Sequence, residues 1–208
     1  MLTCKVDEVL DAYCNAHSKI TQAARDGLSV LLEMMVSDPD VDDVRWAAYM
    51  LATVRHECAG RWLPIEEFGK GKGRPYGQAV TVIDADGTSY VNTYYGRGFV
   101  QLTWKANYQV MGQALGLSNL LVIHPEHALE PQTAYRIMST GMRKGLFTGK
   151  KLVEYITGGT CDYFSARRII NRLDQAATIQ GYAQEFEALL NNSIPAPVNA
   201  SVAAGGTP

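Results

Sequence analysis

Residues 53–73 read TVRHECAGRWLPIEEFGKGKG, and within them a helical pattern stops. Upstream, VDDVRWAAYMLATVRHEC (41–58) spaces its apolar residues for one helix face, with Val44, Ala47, Leu51 and Cys58 on a single stripe. Asp40 is the expected N-cap, Asp42 and Asp43 fall in an acid-rich first turn, and Gly60 is the expected C′ residue. From Gly69 onward, GKGKGRPYG cannot hold a helix. The following QAVTVIDADGTSYVNTYYGRG reads as two short strands around a turn at Asp86 and Gly87. The quoted stretch therefore joins a long helix to a small β-lobe.

Working outward, ITQAARDGLSVLLEMMVS is helical and is broken by SDPD. After the lobe, Thr103 is the expected cap of a helix over WKANYQVMGQALG, followed by helices over EPQTAYRIMSTGMRKG and KKLVEYITGG. Two more, DYFSARRIINRL and TIQGYAQEFEALLNN, complete the folded part. The expected fold is mainly α with a small β-hairpin lobe at residues 69–98, in one domain over 1–192. The remainder, SIPAPVNASVAAGGTP (193–208), has nothing to bury and is expected to be a disordered tail.

Bulk composition excludes several classes. Apolar residues make up 47% and charged residues 19% of the 208, as in a soluble globular protein. The net charge of -2 provides no general field for nucleic acid. No apolar run approaches the roughly 20 residues that cross a bilayer, so no stable membrane insertion is expected. The acidic start of MLTCKVDEVLDAYCNAHS does not fit a signal peptide. Synthesis in the cytoplasm is the expectation, with any export arranged by another protein. Cys4, Cys14, Cys58 and Cys161 form no C-x-x-C pair and indicate no disulfide framework.

The quoted stretch admits three chemistries. A zinc peptidase helix needs H-E-x-x-H, but after His56 and Glu57 the fifth position is Gly60. HPEH (124–127) has no acid or cysteine cluster to complete a shell, and no metal or other cofactor is expected. GKGKGR lacks the spacing of a phosphate loop, and DADGTS lacks the closing glutamate of a calcium loop. Paired carboxylates remain. Glu57 lies at the margin of the apolar stripe in the last helical turn, where burial and the negative end of the helix dipole both disfavour the ionised form. A general acid exploits that situation, although Arg55 or Arg61 could instead pair with Glu57 as structural partners. Glu66 and Glu67 follow beyond the helix stop, where they could stand across a cleft. Glycoside cleavage uses two such acids, about 5–5.5 Å apart for retention and roughly 6.5–9.5 Å apart for inversion.

RHECAGRWLPIEEFGKGKGRPYG, YYGRGFVQLTWKANY and ARRIIN, taken together and in this order, resemble the chitinase-like family 19 glycoside hydrolases, in particular their phage-endolysin branch. The likeness covers roughly residues 40 to 175. It implies a lysozyme-like α+β fold with a cleft between the helical part and the β-lobe. It further implies Glu57 as general acid and an acid of PIEE as the base that activates water, usually with inversion. Glu66 is favoured for that role, with Glu67 as the alternative. Gln101, Thr103 and Asn107 fall where the family binds sugar or orients water, and Asn171 matches the asparagine of its late motif. Ala106 stands where plant members often carry a tyrosine.

From the residues alone, Thr103 is equally a helix cap, Asn171 equally a brace, and Arg97 an ion-pair partner. Tyr94 and Tyr95 could stack on sugars or pack in the core. Lys70, Lys72 and Arg74 stand beside the expected cleft, where lactyl or stem-peptide carboxylates of peptidoglycan would lie; a solvated rim is the plainer reading. The expected activity is lysozyme-like, inverting cleavage of the β-1,4 bonds of peptidoglycan, leading to cell lysis by a monomer. A holin-like or secretion partner would then provide access to the cell wall. The alternatives are a chitinase, a secreted antibacterial effector with the same chemistry, and a non-catalytic glycan-binding module.

Overall fold

A computed structural model describes residues 2–194. Helices α1 (Val6–Ala16), α2 (Gln22–Ser37) and α3 (Val44–Glu57) come first. The lobe follows, with strands β1 (Ile65–Glu66), β2 (Val80–Ile83), β3 (Ser89–Asn92) and β4 (Arg97–Gly98). Next are α4 (Lys105–Ala114), α5 (Leu120–Ile123) and α6 (Pro131–Lys144), then β5 (Ile156–Thr157) and β6 (Thr160–Cys161). Helices α7 (Tyr163–Ala166) and α8 (Ala176–Asn192) close the described chain. The mainly α architecture with a small β-lobe is as expected. Residues 195–208, most of the expected tail, lie outside the described residues. Ser193 belongs to the fold: it is buried, and its carbonyl accepts from the Lys5 amide at 2.9 Å.

Helix α3 is the axis of the molecule. Every residue from Ala47 to Val54 is buried, on all faces rather than on the single stripe expected. Helix α8 is its principal neighbour and brings Ile179, Ala183, Phe186 and Leu190 to the contact at helical spacing. The cap of α3 is Asp43, whose side chain accepts from the Arg45 amide at 2.9 Å. Asp40 instead pairs with Arg143 of α6 at 2.8 Å. The other end of α3 is a Schellman turn: Ala59 donates to His56 O at 3.2 Å and Gly60 to Arg55 O at 2.9 Å. The left-handed C′ position is thus Ala59 (φ 50°), and Gly60 (φ 69°) follows it.

The linker from α3 to the lobe is fixed by Trp62, which is buried against Tyr13 and Phe186, each with ring centroids 5.5 Å away. Gly27 of α2 lets it sit there, since a β-carbon at that position would come within 2.5 Å of the Trp62 carbonyl oxygen. In the lobe, β2 and β3 form the expected hairpin, with Val80 opposite Asn92 and Ile83 opposite Ser89. The lobe also includes an earlier pairing, β1 with β4, that sets Ile65 opposite Gly98 and Glu66 opposite Arg97.

Three expected elements differ. KKLVEYITGG is a short 3₁₀ turn, Leu152–Glu154, followed by the β5–β6 hairpin, not a helix. Gly158 turns the chain at φ 52°, and the Trp46 indole nitrogen and the Arg45 guanidinium of α3 bind the Ile156 and Gly158 carbonyls. Helix α7 makes barely one turn before tightening into a 3₁₀ segment, Arg167–Ile169. Helix α4 begins after Trp104 (φ 74°) without a side-chain cap, because the Thr103 hydroxyl donates to the Gln101 carbonyl at 2.7 Å. Among the described residues no helix is long and apolar enough to cross a membrane.

Candidate active site

Glu57 is the last residue of α3, and its partner is neither Arg55 nor Arg61. Arg167 donates from Nη1 to Glu57 Oε1 at 2.7 Å, with the arginine side chain 2% exposed and the glutamate side chain 18%. From its other edge, Arg167 Nε donates to the Asp174 carbonyl at 3.0 Å. Burial and the helix dipole are therefore met by a full opposite charge, and the carboxylate is compensated rather than stranded. Beneath the pair lies Tyr49, two turns back on α3, whose buried hydroxyl has no hydrogen-bond partner among the described residues and whose pKa is pushed far up by burial. Arg55 turns the other way. It pairs with Glu185 of α8 at 2.7 Å, and its guanidinium lies 3.9 Å from the centroid of the Tyr182 ring.

Next to Glu57, the buried Cys58 thiol lies 3.7 Å from the Phe99 carbonyl oxygen. The end of α3 thus abuts the residue after β4, and β4 pairs with the strand that carries Glu66. The neighbouring glutamates of that strand face different partners. Glu66 accepts from the Tyr95 hydroxyl on Oε1 and receives the Lys70 ammonium on Oε2 at 2.8 Å. Lys70 and then Tyr95 hold the Glu66 carboxyl below its ordinary range by hydrogen bonding. Glu67 is built into the lobe. Its amide donates to Gly96 O at 2.7 Å, and its carboxylate accepts from Gly96 N at 3.0 Å and from the Tyr76 hydroxyl at 2.8 Å. Two of the three expected carboxylates thus differ in kind: Glu66 holds an exposed lysine, whereas Glu67 braces the scaffold.

The YYGRG motif is the keystone of the lobe. Arg97 is buried and makes no ion pair among the described residues, contrary to expectation. Its Nη1 donates to the Thr93 carbonyl and the Tyr108 hydroxyl at 3.0 and 3.1 Å, and the guanidinium lies 3.7 Å from the Tyr95 ring centroid. Tyr95 is 6% exposed, so it supports Glu66 rather than offering a stacking face. Gln101 (φ 54°) donates from Nε2 to the carbonyls of Ile65 and Gly98, each at 3.1 Å, bridging β1 to the end of β4. Asn107 donates to the Thr103 carbonyl at 2.8 Å. Asn171 is exposed and folds back to accept from the Arg172 amide at 2.9 Å. Lys72 and Arg74 project from the glycine loop into solvent.

Glu57, Glu66 and Glu67 stand out in the sequence but Arg167 does not, although it lies inside ARRIIN; it is 110 residues from its partner. Only the doubled arginine hinted at it. Among the described residues no group of three or more histidine, cysteine, aspartate or glutamate side chains is placed to hold a metal ion.

No protein-family description and no curated protein sequence matches the chain. Solved structures do. A mutant of chitinase C superposes with a TM-score of 0.51 at 19% identity, over 94% of this chain and 96% of that one. Chitinase C from Streptomyces griseus covers 92% of this chain and 70% of its own, with a TM-score of 0.48 and 19% identity. A bacterial family 19 chitinase covers 89% and 84%, with a TM-score of 0.45, also at 19% identity. The chain shares the α-rich, lysozyme-like fold of chitinase C.

Proposed function

We propose that the chain is a family 19-type glycoside hydrolase that cleaves β-1,4 bonds of amino-sugar glycans with a pair of carboxylates. The observation that carries this reading is Glu57, fixed by the buried Arg167 at the end of a buried helix whose next residue, Cys58, meets the Phe99 carbonyl just past β4, the partner of the strand that bears Glu66. Arg167 occupies Oε1 of Glu57, which leaves Oε2 to carry the proton that passes to the leaving glycosidic oxygen. Glu66 takes a proton from water, the water oxygen bonds to the anomeric carbon as the carbon–oxygen bond breaks, and the configuration inverts. Glu67, committed to Tyr76 and Gly96, does not serve as base. Gln101, Thr103 and Asn107 brace the backbone of the lobe that would receive the sugar.

The substrate we favour is bacterial peptidoglycan. Lys72 and Arg74 suit a glycan that carries carboxylates, which neutral chitin lacks. In this reading the protein is an endolysin-type lysozyme that works as a monomer. It is made in the cytoplasm, reaches the wall through a holin-like or secretion partner, and lyses the cell. Chitin is the second reading, favoured by the shared fold with chitinase C. The test is to digest purified peptidoglycan and chitin oligosaccharides with the wild type and with Glu57→Gln, then identify the new reducing ends by mass spectrometry. Reducing-end amino sugar from peptidoglycan, absent with Glu57→Gln, is expected. Release from chitin alone would transfer the assignment to a chitinase, and release from neither would leave a glycan-binding module.

A further inference from the structure

The loop after Glu67 is a built feature, not a loose rim. The Lys70 amide donates to the Glu67 carbonyl at 3.0 Å, Lys72 to Gly69 and Arg74 to Gly71, each at 2.9 Å, so consecutive turns wind the chain back on itself. Gly71 and Gly77 close the ring, since a β-carbon on Gly77 would lie 1.9 Å from the Gly71 carbonyl oxygen. Lys70 itself is held in the left-handed region at φ 49°, a conformation that costs a non-glycine residue free energy. In that conformation its ammonium lies on Glu66 Oε2, while the Tyr95 hydroxyl donates to Oε1, so each oxygen of the carboxylate holds one donor. The lysine side chain is nonetheless 62% exposed, and Glu66 is its ion-pair partner. Exposed ion pairs of this kind are weak and readily exchanged.

We propose that Lys70 is a substrate-responsive latch on Glu66: a carboxylate carried by the glycan draws the ammonium away, clears the cation from the oxygen that takes the proton of the attacking water, and so selects acidic over neutral amino-sugar chains. The inference rests on the hydrolase reading above and deepens it. A base takes a proton less readily with a cation on it, and in the resting arrangement the Lys70 ammonium on Oε2 holds the Glu66 carboxylate at low basicity. Lys72 and Arg74, exposed on the same ring and without acidic partners among the described residues, draw the same anion to the loop. A neutral chain provides no rival carboxylate, so with it the Lys70–Glu66 pair must be broken without replacement. The charged and titratable groups that face Glu66 are Lys70 from the loop, Tyr95 from the approach to β4, and Arg97 from β4.

The test compares kcat/KM on a soluble stem-peptide-bearing peptidoglycan fragment and on a neutral chitin oligosaccharide, for the wild type, Lys70→Gln and Lys70→Arg. Lys70→Gln should lower the acidic-over-neutral preference about threefold, with the rate on the neutral substrate above that of the wild type. Lys70→Arg should restore most of the preference. The acid limb of the kcat/KM profile, which reports the free enzyme, should move to higher pH in Lys70→Gln, since loss of the ammonium raises the Glu66 pKa. Equal losses on both substrates with an unmoved acid limb would overturn the latch while leaving the hydrolase standing. No turnover of either substrate by the wild type would remove both.

Discussion

Arg167 is held at both edges of its guanidinium, by Glu57 on one side and the Asp174 carbonyl on the other. A lysine has one charged nitrogen and cannot span the two acceptors. Arg167→Lys should therefore lower stability by about 1–3 kcal/mol through an unsatisfied buried contact. It should also lower kcat about tenfold or more, because Glu57 loses its fixed orientation. Chemical denaturation and steady-state kinetics on the same sample check both effects, and a variant of unchanged stability and rate would show that the pair does not set the geometry. In the sequence, Glu57 stands out through its place at the helix margin taken together with Glu66, Glu67 and the family resemblance, since the helix position alone suits a structural ion pair equally well. Its partner was not legible, because helical periodicity reports nothing about a contact made across 110 residues. Glu66 and Glu67 were inseparable for a related reason: only the pairing with β4 decides that one meets Tyr95 and the other Gly96.

At the scale of elements, α3 ends in a Schellman turn with alanine where glycine is the usual occupant. Ala59→Gly should stabilise the protein by about 0.5–1 kcal/mol by relieving the left-handed strain, read as a higher denaturation midpoint. A lower midpoint would mean that chain entropy outweighs the strain. At the end of α2, Asp38 accepts from Tyr135 and Ser139 of α6 at 2.8 and 2.7 Å. Burial alone would push its carboxyl up, but hydrogen bonds from Ser139, the Asp40 amide and Tyr135 outweigh it and hold the pKa below the ordinary value. Its folded pKa thus lies below the unfolded one. The stability this gives is complete above the unfolded value near pH 4 and is lost as pH falls through the folded value. Denaturation midpoints taken from pH 7 down to pH 3 should fall less steeply for Asp38→Asn than for the wild type, and parallel curves would contradict this. Elements with long periodic patterns, α2, α3, α6 and α8, were legible in the sequence. The segment 150–162 was not, since its apolar residues suit a helix until Trp46 and Arg45 capture its carbonyls and Gly158 turns it into a hairpin.

For the whole molecule, one buried helix delivers a carboxylate to the edge of a β-lobe, and a linker pinned by Trp62 sets where that lobe begins. This arrangement follows from the break in pattern between Cys58 and Gly69, which is why the fold class could be read from a single stretch. Sugar contacts could not be read in the same way, because Gln101, Thr103 and Asn107 donate to backbone carbonyls, contacts that no local sequence pattern announces. The most direct measurement of the two-carboxylate account is the turnover of a soluble peptidoglycan fragment by Glu57→Gln, Glu66→Gln and Glu67→Gln, each first shown to be folded. The account predicts that Glu57→Gln and Glu66→Gln each lose about 100-fold or more, while Glu67→Gln keeps most of its turnover. Near wild-type turnover by either of the first two variants would contradict it.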